Sequence, residues 1–259
     1  MRALLSGLVV CLVLATACKS HPAERPAAQS ASLSFIDSLL QAAVVASGTH
    51  LLDSATVAYR FRQNSMGYDR RGDAFVYTRT YTDSSGNTIT DILSNTGLQR
   101  TVNDEPRGLS PKQAATASEQ VNSVTYFALL PRFLLDPAVN ASYDGLDTVS
   151  QTLYHRIRVS FAEEMGGTDF EDEFLYWFDA NDLSLDFLAY AYATNGGGVR
   201  LREAFNERRP AGVRISDYRN YRADPENSVP LDGMMHRFRR GELKLLSVVA
   251  LEDVRIALH

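Results

Sequence analysis

A chain of 259 residues, 45% hydrophobic and 22% charged, can bury a sizeable core, and sandwiches or barrels of roughly 200–250 residues fold as one unit. The formal net charge of −5, from 26 basic and 31 acidic residues of mixed order, excludes the electrostatic footprint of a nucleic-acid binder. The two cysteines, Cys11 and Cys18, both lie near the N-terminus, which excludes a disulfide, a thiol nucleophile and a cysteine-built zinc site from the domain.

Arg2 precedes an apolar run from Ala3 to Ala17, broken only by Ser6 and Gly7, and the run ends in Leu14-Ala15-Thr16-Ala17-Cys18. A basic n-region, an apolar h-region and small residues before a cut make an export signal. The run falls short of the roughly 20 residues that span a bilayer. The segment resembles a bacterial lipoprotein signal, which implies removal of residues 1–17 and acylation of Cys18, so that lipid on Cys18 ties the protein to a membrane. Lys19 does not resemble the Asp typical of inner-membrane retention, and the expected location is the outer membrane, facing the periplasm. Residues 18–32, rich in Ser, Ala and Pro, read as a flexible tether, with a reach on the order of 20 Å. The domain is expected over residues 33–259.

Phe35, Ile36, Leu39, Leu40, Ala43 and Val44 recur at helical spacing, with Ser34 as N-cap and Gly48 as stop. The period then becomes two. Val57-Tyr59-Phe61 and Phe75-Tyr77-Arg79-Tyr81 predict strands, Asp83 to Asn87 a hairpin turn, and Ile89 to Ser94 and Leu98 to Val102 continue the meander. Ser110-Pro111 opens a second helix, with Val121, Val124, Tyr126, Phe127 and Leu130 mostly on one face, until Pro131 interrupts it ahead of a turn through Leu135. Strand rows follow at 153–161, 173–178, 186–193, 199–206, 213–221 and 243–256, with a short helix around Met234, Met235 and Phe238. Strands 173–178 and 186–193 are apolar on both faces, so both are covered there, one by a helix. The expected fold is mainly β (α+β): a strongly curved antiparallel half-barrel of about eleven strands, with two or three helices packed in its concave side.

With its signal, its helix-meander-helix-meander order and its Tyr176-Trp177-Phe178-Asp179 turn, the chain resembles the half-barrel lipoprotein-carrier (outer-membrane lipoprotein localisation) superfamily of Gram-negative envelopes. Val121 to Pro131, Asp172 to Asp179, Ala189 to Tyr192 and Gly198 to Ala204 resemble an uncharacterised family of secreted lipoproteins, over roughly residues 50–256. The superfamily resemblance implies an apolar concave surface able to hold acyl chains; the other imports no activity.

In rows expected to face inward, one ionisable residue recurs per strand: Arg79 among Phe75, Tyr77 and Tyr81; Asp91 between Ile89 and Leu93; His155 with Leu153, Ile157, Val159 and Phe161; Glu203 among Val199, Leu201 and Phe205; Asp217 after Val213 and Ile215. Such groups are costly on an apolar face unless paired. They form a salt-bridge network, or anchor an amphiphile's headgroup, or carry catalysis. Arg79, Asp91, His155, Glu203 and Asp217, with Tyr77, Tyr176 and Phe205, are therefore the candidate ligand-binding residues; no catalytic residue, metal ligand or cofactor is assigned. One register step would void the idea for a whole row. Asp169 to Glu173 lack a calcium-loop pattern, the five mature histidines are scattered, and no Gly-x-Ser-x-Gly elbow occurs. Gly196 to Gly198 read as a hairpin, and Arg237, Arg239 and Arg240 as a solvated face or one turned to anionic lipid.

Three functions remain open. The first is a lipid-anchored envelope protein binding or shuttling an apolar ligand, an acyl chain or a lipoprotein. The second is a hydrolase using His155 with Glu203 or Asp217. The third is a structural or interaction module of an envelope complex.

Overall fold

The computed structural model describes residues 27–162, 171–193, 196–224 and 228–259, with side chains described from Phe35 onward. The signal, Cys18, most of the tether, the Gly166-Gly167 turn and Asp169 lie outside the described residues.

Among the described residues fourteen strands form two antiparallel sheets. Helix α1 (Ala27–Ala46) leads into β1 (Ser54–Phe61), β2 (Asn64–Arg71), β3 (Ala74–Thr82), β4 (Thr88–Ser94), β5 (Gly97–Val102) and β6 (Glu105–Pro106). After α2 (Pro111–Ala128) come β7 (Val139–Val149), β8 (Thr152–Phe161), β9 (Glu173–Asp179), β10 (Leu185–Tyr192), β11 (Gly198–Arg208) and β12 (Ile215–Arg222). Helix α3 (Met234–Arg239), β13 (Lys244–Val249) and β14 (Glu252–Leu258) close the chain. The first sheet runs β14-β1-β2-β3-β4-β5-β6 and the second β13-β12-β11-β10-β9-β8-β7. Together they make a curved, unclosed half-barrel, and the last two strands divide between them, β13 in the second sheet and β14 in the first.

Local chemistry explains the boundaries. The Asp83 carboxylate accepts the backbone N–H groups of Ser85 and Asn87, fixing the β3–β4 turn. Ser110 and Gln113 form a reciprocal capping box at the start of α2, with Pro111 in the first turn. At Gly48, which follows α1, φ is +72° and a Cβ would lie 2.2 Å from the Gly212 carbonyl oxygen, so no other residue fits. Arg132, in the turn after α2, joins that turn to Asp53 before β1 at 2.6 Å.

Two helices occupy the concave side. Ile36 and Leu40 of α1, with Leu130 and Leu134, pack on Ile157, Tyr176 and Leu188 of the second sheet. Val121 of α2, with Leu129 and Phe133, packs on Tyr59, Tyr68 and Tyr77 of the first. The third helix lies outside, where Met234 and Met235 cover Trp177, Phe187 and Leu201 on the opposite face of the second sheet. The prediction that a helix covers the second apolar face there is met by α3.

The strand count exceeds the expected eleven. Strand β2 carries Gly67, Asp69, Arg70 and Arg71, and β7 carries Asn140, Asp144, Gly145 and Asp147, so polar residues and glycines hide their period. Residues 243–256 form two strands rather than one row. Helix α1 starts at Ala27, inside the stretch expected to be tether; beyond Pro26 that stretch holds good helix formers and no helix breaker. No helix among the described residues is long and apolar enough to cross a membrane.

Candidate functional site

Helix α2 lies between the two sheets and leaves a cleft of about 560 Å³ beside it, within the usual range for small-molecule sites of roughly 300–1,000 Å³. Aromatic side chains from both sheets and α2 converge on it: Tyr77 from β3, Tyr126 and Phe127 from α2, Phe133 from the turn after it, Phe174 from β9 and Tyr190 from β10. Phe174 stacks on Tyr190 with centroids 5.8 Å apart, and Tyr126 stacks on Phe133 at 5.6 Å. The Tyr126 and Tyr176 hydroxyls share a 2.8 Å hydrogen bond, and burial pushes both phenols well above their ordinary range. The lining also holds the carboxylates of Asp73, Glu119, Asp136 and Asp172, and Arg70. Burial pushes the Asp136 carboxyl up, against the pull of Arg132 and Arg70. Beyond Phe127 a second hollow of about 130 Å³ opens toward Arg202, Ser216 and Tyr218; Ser123 and Phe127 line both spaces.

The structure separates the residues singled out from the sequence. In the first sheet, Tyr77 lines the cleft, and Arg79 and Asp91 face α2 on the same side. Asp91 is fully buried and held by Arg79 at 3.0 Å and by Arg100 at 2.6 Å, its cross-strand neighbours on β3 and β5. This trio forms a closed ion-pair network. Arg100 was missing from the expected set, although strand alternation sets it directly opposite Asp91.

In the second sheet, Tyr176 is buried on the concave side beneath α1 and α2. His155 shares its strand face with Ile157 and takes Tyr143 Oη as its hydrogen-bond partner at 3.1 Å, beside the Phe35 ring. Burial pushes its imidazole pKa down.

Glu203 and Phe205 correct the inward-row expectation. They share a strand face with Leu201, which packs under α3, and they line a separate hollow with Tyr154 and Phe187, so they lie on the outer face. Glu203 is bonded there by the Tyr221 hydroxyl at 2.9 Å. The row misleads because the outer face has a core of its own: Val199 and Leu201 are apolar for α3, and the inward members of β11 are Arg200, Arg202 and Ala204. Asp217 is buried at the seam between the sheets, where Asn206, Arg208 and the Leu251 backbone N–H all donate to it.

His155 therefore meets neither carboxylate of the expected hydrolytic pair. Strand β8 is three strands from β11 and four from β12, or about 14 and 19 Å at the usual strand spacing, and Glu203 also points to the other face. Arg237 and Arg240 share Glu242, and Arg239 pairs with Asp147, so each arginine of this cluster meets an acid of the chain.

Residues 49–253 match the family model described as "Family of unknown function (DUF6503)". No curated protein matches the chain. Among solved structures, the chain is similar to a LolA superfamily protein from Nitrosomonas europaea, at 13% identity over 85% of this chain and 92% of that one, with a TM-score of 0.49. It is similar to a DUF1329 family protein from Desulfovibrio piger at 9% identity over 85% and 92%, with a TM-score of 0.40. For the Mycobacterium tuberculosis lipoprotein LppX the values are 15% over 64% and 92%, with a TM-score of 0.28.

Proposed function

Because this chain belongs to the DUF6503 family, whose description assigns no activity, we propose its function from the cleft itself. The protein is a lipid-anchored component of the cell envelope that binds an acyl chain or a comparably apolar ligand between its two sheets. The observation that carries this reading is the 560 Å³ hollow walled by aromatic rings from α2 and both sheets. Protein interiors pack with few voids larger than a water molecule. A cleft of this size, with rings from α2 and both sheets and a charged edge, is suited to a hydrocarbon tail. The run ending at Cys18 supports attachment through lipid on that cysteine, and Lys19 supports placement in the outer membrane facing the periplasm.

Native mass spectrometry of the full chain, extracted gently from membranes, tests the reading. A non-covalent lipid retained by the folded protein supports it. Protein that emerges without lipid, and that also fails to bind a radiolabelled fatty acid, refutes it.

A further inference from the structure

Resting on that reading, we propose that Arg202 with Ser216 anchors the carboxylate end of the bound amphiphile in the inner hollow, its tail lying in the aromatic cleft. Arg202 projects from β11 into the concave side, where its guanidinium lies 4.0 Å from the Phe127 ring centroid and 5.2 Å from that of Tyr190. Its Nη2 donates to the Tyr190 hydroxyl at 3.2 Å. Its Nε is hidden from solvent and hydrogen-bonded to no group among the described residues, and no ion pair to a described carboxylate neutralises it. This sets it apart from Arg79, Arg100, Arg208 and Arg214, each of which meets an acid.

Ser216 lines the same hollow. It is only 6% exposed, and its hydroxyl is likewise hidden and without a hydrogen-bond partner. A guanidinium edge and a hydroxyl are both donors, and together they fit an anionic acceptor with two oxygens. Leaving the Arg202 Nε–H and the Ser216 hydroxyl without acceptors is costly, and an arriving carboxylate removes that cost.

Charge also sets the direction of entry. In the larger cleft the cation, Arg70, lies among the carboxylates of Asp73 and Asp136, and Asp136 is itself paired with Arg132. Behind Phe127 the charged side chain lining the smaller hollow is Arg202. Its volume of about 130 Å³ admits a carboxyl group with a few methylenes, so the rest of the chain lies back past Phe127 among the aromatic rings.

Equilibrium binding of radiolabelled palmitate and of hexadecanol, which share a chain length and differ in headgroup, tests the anchor in the full chain, extracted in mild detergent and stripped of lipid. The wild-type protein is expected to prefer palmitate by about tenfold or more. Arg202→Gln should bring the ratio to about one by lowering palmitate affinity more than hexadecanol affinity. Ser216→Ala removes only an unpaired hydroxyl and should lower the ratio by about threefold. If circular dichroism shows Arg202→Gln to be unfolded, Ser216→Ala decides. Equal affinity for both ligands in the wild-type protein, or a preference that survives the folded variants, overturns the anchor and leaves the cleft standing. Binding of neither ligand overturns both.

Discussion

Tyr126 of α2 and Tyr176 of β9 meet hydroxyl to hydroxyl at 2.8 Å inside the concave core, tying the helix that bounds the cleft to the second sheet. Neither group keeps a bulk-water partner at that depth. Tyr126→Phe should therefore cost about 1–3 kcal/mol by orphaning the Tyr176 hydroxyl. The double Phe variant should cost little more than either single one. Urea denaturation of the four proteins in the cycle measures this coupling, and strict additivity would contradict it.

Asp91 stands between two guanidiniums and is itself inaccessible to water. Removing it strands Arg79 and Arg100, whose side chains are 11% and 18% exposed. Asp91→Ala should destabilise the protein by about 3 kcal/mol. Replacement of the trio by apolar residues of similar volume should recover most of that loss. Chemical denaturation is again the measurement, and a change below about 1 kcal/mol for Asp91→Ala would show that solvent already screens the pair.

His155 gives the structure a pH dependence with a definite sign. Burial lowers its folded pKa below the unfolded value of about 6.5. As pH falls through 6.5 the unfolded chain takes up the proton first, so stability declines until the folded pKa is passed. Above pH 6.5 the residue is neutral in both states and contributes no slope. The imidazole resonance should titrate below 6.5 by NMR, and His155→Gln should flatten the fall in melting temperature between pH 6.5 and the folded pKa.

Trp177 is the single tryptophan of the chain and reports on the outer core. It is 1% exposed, lies beneath Met234 and Met235, and donates its indole N–H to Asp147 at 2.9 Å. Met235→Ala should destabilise the protein by about 2–5 kcal/mol through the cavity it leaves. It should also shift the fluorescence to the red as water reaches the ring. Ligand entering the cleft approaches the opposite face of β9, so Trp177 emission should stay nearly constant on binding.

Cys18→Ser should abolish incorporation of labelled fatty acid into the chain. It should also leave the protein in the soluble fraction, or unprocessed at its full length. Metabolic labelling with fractionation of the cells checks both outcomes.

The meander and its helices could be read from residues because local chemistry and long-range packing agree there. Ser110 and Pro111 announce α2, and the alternation of Phe75, Tyr77 and Arg79 announces β3. Reading failed where polar residues sit at both alternating positions, as in β2 and β7. It failed differently at β11. Val199, Leu201 and Phe205 form an apolar row, yet they face outward because α3, thirty residues further on, supplies a second core. Sequence periodicity reports that a row is covered and leaves open which side covers it, so the inward Arg202 escaped notice while Glu203 was placed in the hollow. The Arg79–Asp91 pairing was readable in kind, since ionisable groups on a covered face need partners. Its third member required the register of β5.

The last two strands divide between the sheets, β14 pairing with β1 and β13 with β12, and among the described residues no β-ladder joins the two sheets. Where the strands part, Asp217 grips the Leu251 amide. The two walls of the hollow are thus leaves sharing a spine rather than staves of one barrel. Spreading them to admit a bulky guest would break side-chain grips such as Asp217 to Leu251 and leave every interstrand backbone hydrogen bond of both leaves intact.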